Sequence, residues 1–331
     1  MITEIEEIDE ATSLERVLSI EIARVTERAA VAAATFRGRG DERAADGAAI
    51  AAMRDELGTL AVSGTVVIGE GEAGDVPALY LGETLGTGGP RVDVALDPLE
   101  GTTICAKNLP NAISVVAVAT RGALLTTPDV YMDKIAVGPG YPAGIVGLDR
   151  SPRDNIEALA RAKGVRVHEI TACILDRPRH ARLIEEVRQA GAAIRLIGDG
   201  DVAGVIHTTD PTVTGIDIYL GIGGAPEGVL AAAALRCRGG QIEGRLQLNT
   251  MDKRIRAEKL GLTDPDRLFR LDDMVMGDVI FAATGVTGGS FLEGVRFHAD
   301  RIETHTVVMR SRTRTVRDIR ARHYDREKFG L

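Results

Sequence analysis

Carboxylates set on glycine-rich turns are the residues of this chain best suited to carry chemistry. In the run Ile68, Gly69, Glu70, Gly71, Glu72 two acids share a turn that glycine lets fold sharply and lets a ligand approach closely. Such a pair suits a hard divalent cation, because Mg²⁺ and Mn²⁺ take oxygen ligands from a few carboxylates and from substrate phosphate. A solvated acidic turn is the plain alternative. Gly69, Gly71 and Gly74 also fit the GxGxxG spacing of a dinucleotide site, with Asp93 roughly 20 residues onward where a ribose would be held. Glu70 and Glu72 at its variable positions would repel a pyrophosphate.

The run Asp97, Pro98, Leu99, Glu100, Gly101, Thr102, Thr103 is the sharpest of these signals. Two carboxylates on a proline-fixed turn can each face a different ion of a two-metal site. The Thr102 hydroxyl and the following backbone N–H groups would then hold or polarise what lies between. An Asp-Pro turn that merely caps the next segment has the same appearance. From Gly221 to Gly228 a phosphate could rest on the Gly223 and Gly224 backbone while Glu227 supplies a metal ligand, although Glu in a first helical turn is also ordinary helix stabilisation. Arg177 and Arg179 could grip a phosphate, and Asp199 and Asp201 could accept from sugar hydroxyls, with caps or surface ion pairs as the alternative. His180 is expected to pack or cap, since no second His stands at ligand spacing and HExxH is absent.

Elements that end where these motifs begin must position them. Thr12 and Glu15 have capping-box spacing, and Leu14, Val17, Leu18, Ile22, Val25 and Ala29 then recur at helical intervals. A second helix is predicted over 45–57, with buried strands at 64–69, 91–97 and 112–119. In the latter half, strands near 170–175, 192–197, 216–221 and 278–283 alternate with helices near 152–163, 178–190, 200–208 and 225–236. Ser151, Pro152 and Gly164 punctuate the first of those helices. The pattern predicts a layered α/β protein, with a soft boundary near 165 between halves 1–165 and 166–331.

Composition narrows the functional classes. The chain has 331 residues, 44% hydrophobic and 27% charged, enough to bury a large core. Its net charge of −8 argues against nucleic-acid and anionic-membrane partners, so any phosphate site must build local positive charge. The basic stretch from Arg310 through Lys328 is interrupted by acids and read as a solvated face or subunit contact. Cys105, Cys173 and Cys237 lack zinc or disulfide spacing, and the acidic N-terminus is unlike a signal peptide, so the cytoplasm is the expected compartment.

Taken in order, the motifs resemble the class II fructose-1,6-bisphosphatases, within the lithium-sensitive, metal-dependent phosphatases that include inositol monophosphatases. The matching segments run from about Arg24 to His323: residues 38–49, 64–72, 97–103, 128–134, 177–180, 198–201, 219–228 and 279–295. DPxEGT alone marks the wider group; GEGE and GGAPEG narrow it to class II.

The resemblance implies a sugar-phosphatase fold of alternating helix and sheet layers, and a homodimer or homotetramer. It implies Mg²⁺ or Mn²⁺, with Asp46 and Glu70 on one ion and Asp97, Glu100 and Glu227 on a second. Glu100, Gly101 and Thr102 would lie against the scissile phosphate, with Tyr131, Arg177, Arg179, Asp199, Asp201 and Gly224 around the sugar and its other phosphate. Asp46 follows a GRGD turn, where an N-cap is the plain reading. The implied activity is hydrolysis of the 1-phosphate of fructose 1,6-bisphosphate, in gluconeogenesis or Calvin-type metabolism. Thr102, bonded to a nearby carboxylate, would orient the attacking water, assisted by Glu72.

The chain departs from the family pattern at Asp41-Glu42-Arg43, where many members have GDK, and at Arg177, where many have Lys. It is also shorter than many members over 247–271. Sedoheptulose 1,7-bisphosphate or an inositol phosphate is therefore a rival substrate. A nicotinamide oxidoreductase and a non-catalytic regulator are the rivals of other classes.

Overall fold

The computed structural model describes residues 10–331. Among them, strands form two sheets. The first has eight strands, in spatial order Arg296–Phe297, Ile302–Arg310, Val279–Gly285, Ile113–Thr120, Arg91–Glu100, Ser63–Ile68 and Thr84–Leu85, with Thr315–His323 also paired to Ile302–Arg310. The second has six, in the order Phe269–Arg270, Gln241–Leu246, Tyr131–Val137, Ile218–Gly224, Thr171–Leu175 and Ala193–Ile197.

The two-residue period of the strands sorts side chains into cores. Ile113, Val115, Ala117 and Ala119 face an inner core, while Val116 and Val118 face an outer one. In the second sheet Met132, Ala136, Cys173 and Tyr219 point inward; Ile135, Val137, Ala172, Ile174, Ile218 and Leu220 point outward. Helices Glu10–Ala34 and Glu42–Leu57 cover the outer face of the first sheet. Pro152–Lys163 and Ala181–Ala190 cover that of the second. Asp201–His207 and Ala225–Arg238 fill the space between. The order is helix, sheet, helix, sheet, helix, as the layered reading predicts. Ala225–Arg238 fits between two sheets because its consecutive buried residues Ala231 through Ala234 carry only methyl groups.

Local punctuation holds where it was strongest. Ser151 Oγ accepts from Asp154 N at 3.1 Å, and Gly164 closes the helix at φ 73°. The helix predicted over 178–190 divides into a 3₁₀ turn, Pro178–His180, and Ala181–Ala190. The side chains of the expected capping box, Thr12 and Glu15, lie outside the described ones. Each sheet takes strands from both sides of residue 165: Tyr131–Val137 sits inside the second, and Val279–Gly285 inside the first. The basic stretch becomes the strand Thr315–His323, where Arg320 pairs with Glu293 and Arg322 with Glu303. No described helix is long and apolar enough to cross a membrane.

His207 ends a helix of the middle layer, and neither ring nitrogen has a hydrogen-bond partner among the described residues. Burial pushes its pKa from 6.5 down to about 4. Between those values the unfolded chain binds the proton and the folded one does not, so stability falls as pH falls through this window. His207→Phe removes that loss. On going from pH 7.5 to pH 5 in urea melts, the variant should gain about 2 kcal/mol relative to wild type, at about 1.4 kcal/mol per pH unit below 6.5.

Candidate active site

Ends of both sheets and the middle helices meet around a cavity of about 300 Å³. Asp46, Glu70, Asp97, Glu100, Asp129, Asp199 and Glu227 line it together with Thr102, and no Lys, Arg or His is among the lining residues. Asp46 lies in the second turn of Glu42–Leu57. The cap of that helix is Asp41, whose Oδ1 accepts from Ala44 N at 2.9 Å, so Asp46 is free of that duty. Glu70 follows Ser63–Ile68 at Gly69, where an added Cβ would stand 2.1 Å from the Leu79 carbonyl oxygen. Only glycine fits that approach.

Asp97 and Glu100 flank an irregularity in the ladder between Arg91–Glu100 and Ile113–Thr120, which re-aims both acids. Asp97 Oδ1 accepts from Leu99 N and Glu100 Oε1 from Val202 N, each at 3.0 Å. Glu227 stands in the first turn of Ala225–Arg238 and folds back on Gly224.

Burial is the first cause of the electrostatic character of these acids. It lifts Asp97 to about 6, with Asp46 and Asp199 adding to the rise and hydrogen bonds to Glu100 and Leu99 opposing it. Glu227 is lifted to about 7 by burial and then by Asp201, against the nearby Lys134 charge. Glu70 and Glu100 are raised well above the carboxylate range by burial and then by Asp97. Burial also raises Asp46 and Asp199. Glu227 Oε2 is buried with no hydrogen-bond partner among the described residues. An all-oxygen, acid-rich set with an orphaned carboxylate oxygen fits a hard divalent cation. The acids line the cavity without closing on one point: no three Asp, Glu, His or Cys side chains among the described residues stand at ion-holding spacing.

Lys134 and Asp129 were not singled out by the sequence pattern. Lys134 shares the inward face of Tyr131–Val137 with Met132 and Ala136 and is fully buried. Its Nζ donates to the Asp201 carboxylate and, at 2.7 Å, to the Gly224 carbonyl. A lysine in the middle of an apolar strand was the available signal, but the strand itself was not predicted. Asp201 is thus committed to Lys134 and absent from the cavity wall, unlike the sugar contact expected of it. Gly223 lies over this pair: a Cβ there would stand 1.8 Å from Asp201 Oδ2 and 3.0 Å from Lys134 Nζ. Gly223→Ala should cost about 1–3 kcal/mol in urea melts.

The other expected residues divide. Gly101 and Thr102 are in the cavity wall. The Thr102 hydroxyl makes no hydrogen bond among the described residues, so the expected bond to a carboxylate is not formed. Glu72 is exposed and outside the wall, because a turn closed by Asp75 N to Glu72 O at 3.1 Å carries it into solvent. Arg177 Nη2 lies 3.8 Å from Asp199 Oδ1. Arg179 stacks on Tyr131 at 4.7 Å and donates to the Ile222 carbonyl from Nε and Nη2. His180 is structural: Nδ1–H donates to Leu175 O and Nε2 accepts from Ile222 N, both at 2.7 Å.

The dinucleotide reading fails on local structure. No helix follows Gly69, Gly71 and Gly74; the chain instead makes a bridge between Ala73 and Val76. Asp93 is buried within its strand and accepts from Gly122 N at 2.7 Å, which leaves it no ribose to hold.

Comparison with known proteins supplies the family. The family described as bacterial fructose-1,6-bisphosphatase, glpX-encoded, matches residues 16–323. Fructose-1,6-bisphosphatase 1 class 2 of Escherichia coli K12 is 43% identical over 326 residues, covering 94% of this chain and 96% of that protein. The fructose-1,6-bisphosphatase class 2 proteins of Escherichia coli O6:H1 and of Shigella flexneri match to the same extent. With the family matching nearly its whole length and a relative 43% identical over 326 residues, the chain belongs to the bacterial fructose-1,6-bisphosphatase family of phosphoric monoester hydrolases.

Proposed function

We propose that this chain hydrolyses the 1-phosphate of fructose 1,6-bisphosphate to fructose 6-phosphate and phosphate, by in-line attack of water in the acid-lined cavity. The observation that carries the reading is the concentration of carboxylates in one cavity wall, with no basic residue among them, together with Thr102. The names of the relatives support the substrate. Asp46, Glu70, Asp97, Glu100 and Glu227 would hold Mg²⁺ or Mn²⁺. A bound cation supplies Lewis acidity toward the phosphoryl oxygens and toward water.

The protein's own groups do the rest. Thr102, free of other hydrogen bonds, would orient the attacking water. Arg179, held over Tyr131, and Arg177, beside Asp199, supply the positive charge that the cavity lacks and suit the second phosphate and the sugar. Three buried free thiols suit a reducing compartment, the cytoplasm. The test is phosphate release with fructose 1,6-bisphosphate, sedoheptulose 1,7-bisphosphate and inositol 1-phosphate side by side. Preference for the first in kcat/KM is expected; turnover of only one of the others would move the specificity elsewhere.

A further inference from the structure

A second cavity, of about 860 Å³, lies where the edge of the second sheet meets a glycine loop of the first. Its basic groups arrive on separate elements. Arg37 follows the helix Glu10–Ala34, Arg195 sits on the edge strand Ala193–Ile197, and Arg296 opens the strand Arg296–Phe297. Arg195 makes no hydrogen bond or ion pair among the described residues. Arg37 is braced through Nη1 on the carbonyls of Val286 and Val295, at 3.4 and 3.0 Å, which fixes the plane of its guanidinium.

In the same lining the loop brings Gly288 and Gly294 side by side. A Cβ on Gly294 would stand 2.5 Å from Gly288 N, and neither amide donates a hydrogen bond among the described residues. The loop is pinned: Gly289 N donates to Leu292 O at 2.8 Å, Ser290 N to Asn111 Oδ1 at 3.2 Å, and Asn111 N to Gly288 O at 3.3 Å. Glu293, the one acid in the lining, is already paired with Arg296 at 3.0 Å and with Arg320.

Adjacent unbonded amides beside planar guanidinium groups form a cradle for a tetrahedral oxyanion. In a chain of net charge −8 such a concentration of positive charge stands against the field of the whole molecule. We propose that this cavity binds a phosphate-bearing small molecule at a site separate from the acid-lined cavity. None of its lining residues is shared with that cavity.

Calorimetric titration of the metal-loaded enzyme with inorganic phosphate tests the assignment, comparing wild type with Arg195→Met and Arg195→Glu. Arg195 is exposed and unpaired, so neither change should disturb folding, and melting curves check this. The wild type should show a phosphate site whose affinity falls about tenfold in Arg195→Met and further in Arg195→Glu. Turnover in phosphate-poor buffer should be the same in all three proteins. Phosphate isotherms that are identical in the wild type and both variants would overturn the proposal.

Discussion

Lys134→Met should unfold at much lower urea than wild type, losing about 3–5 kcal/mol, the usual result of stranding one charge of a buried pair. Asp201 would be left in the middle layer without its cation, and the Gly224 carbonyl would lose its donor. The double variant Lys134→Met, Asp201→Leu tests the cause. Removing both charges should recover much of the loss, because the cost lies in the unpaired carboxylate rather than in a missing attraction. If the double variant is as unstable as the single one, packing around Met132 and Gly228 is responsible instead. The pair also ties the strand Tyr131–Val137 to the turn that carries Glu227, so residual single-variant enzyme should show weakened cation affinity.

Glu227→Gln should separate stability from activity. Metal-free wild type holds an acid whose pKa is raised to about 7 in the fold. Between the ordinary carboxylate range and that value the folded state keeps a proton that the unfolded chain has released, so metal-free stability falls as pH rises through this window. The amide cannot ionise. At pH 8 the metal-free variant should be about 3 kcal/mol more stable than metal-free wild type in urea melts, with the difference shrinking toward pH 5. Its turnover with cation should fall about a hundredfold or more if the orphaned Oε2 is the oxygen that the proposed cation takes. Equal stability at pH 8 would show that neighbouring groups already neutralise Glu227.

The site was legible where its residues stand at the ends of strands. Glu70, Asp97, Glu100 and Glu227 each stand at the end of a strand or the start of a helix beside Gly or Pro, and the sequence shows that arrangement directly. Asp46 carries no such mark: it is one acid in a helix, and only the family pattern raised it. Glu70 and Glu72 look equivalent in sequence, yet the turn that follows leaves the first half-buried in the cavity wall and exposes the second. Lys134 and the strand around it were missed for one reason. A lysine inside an apolar run breaks the strand pattern unless its buried acid is known, and that acid lies 67 residues away. Among the C-terminal strands, Thr315–His323 carries charged residues at Arg317, Asp318, Arg320 and Arg322, so its pairing rests on the backbone ladder rather than on apolar alternation.

The decisive measurement is phosphate release from fructose 1,6-bisphosphate by metal-stripped protein, before and after Mg²⁺ or Mn²⁺ is restored, beside Asp97→Asn treated identically. Turnover should be absent from the stripped protein, return with the cation, and stay lost in the variant. Full activity without a divalent cation, or an active Asp97→Asn enzyme, would contradict a cation-dependent reaction in this cavity.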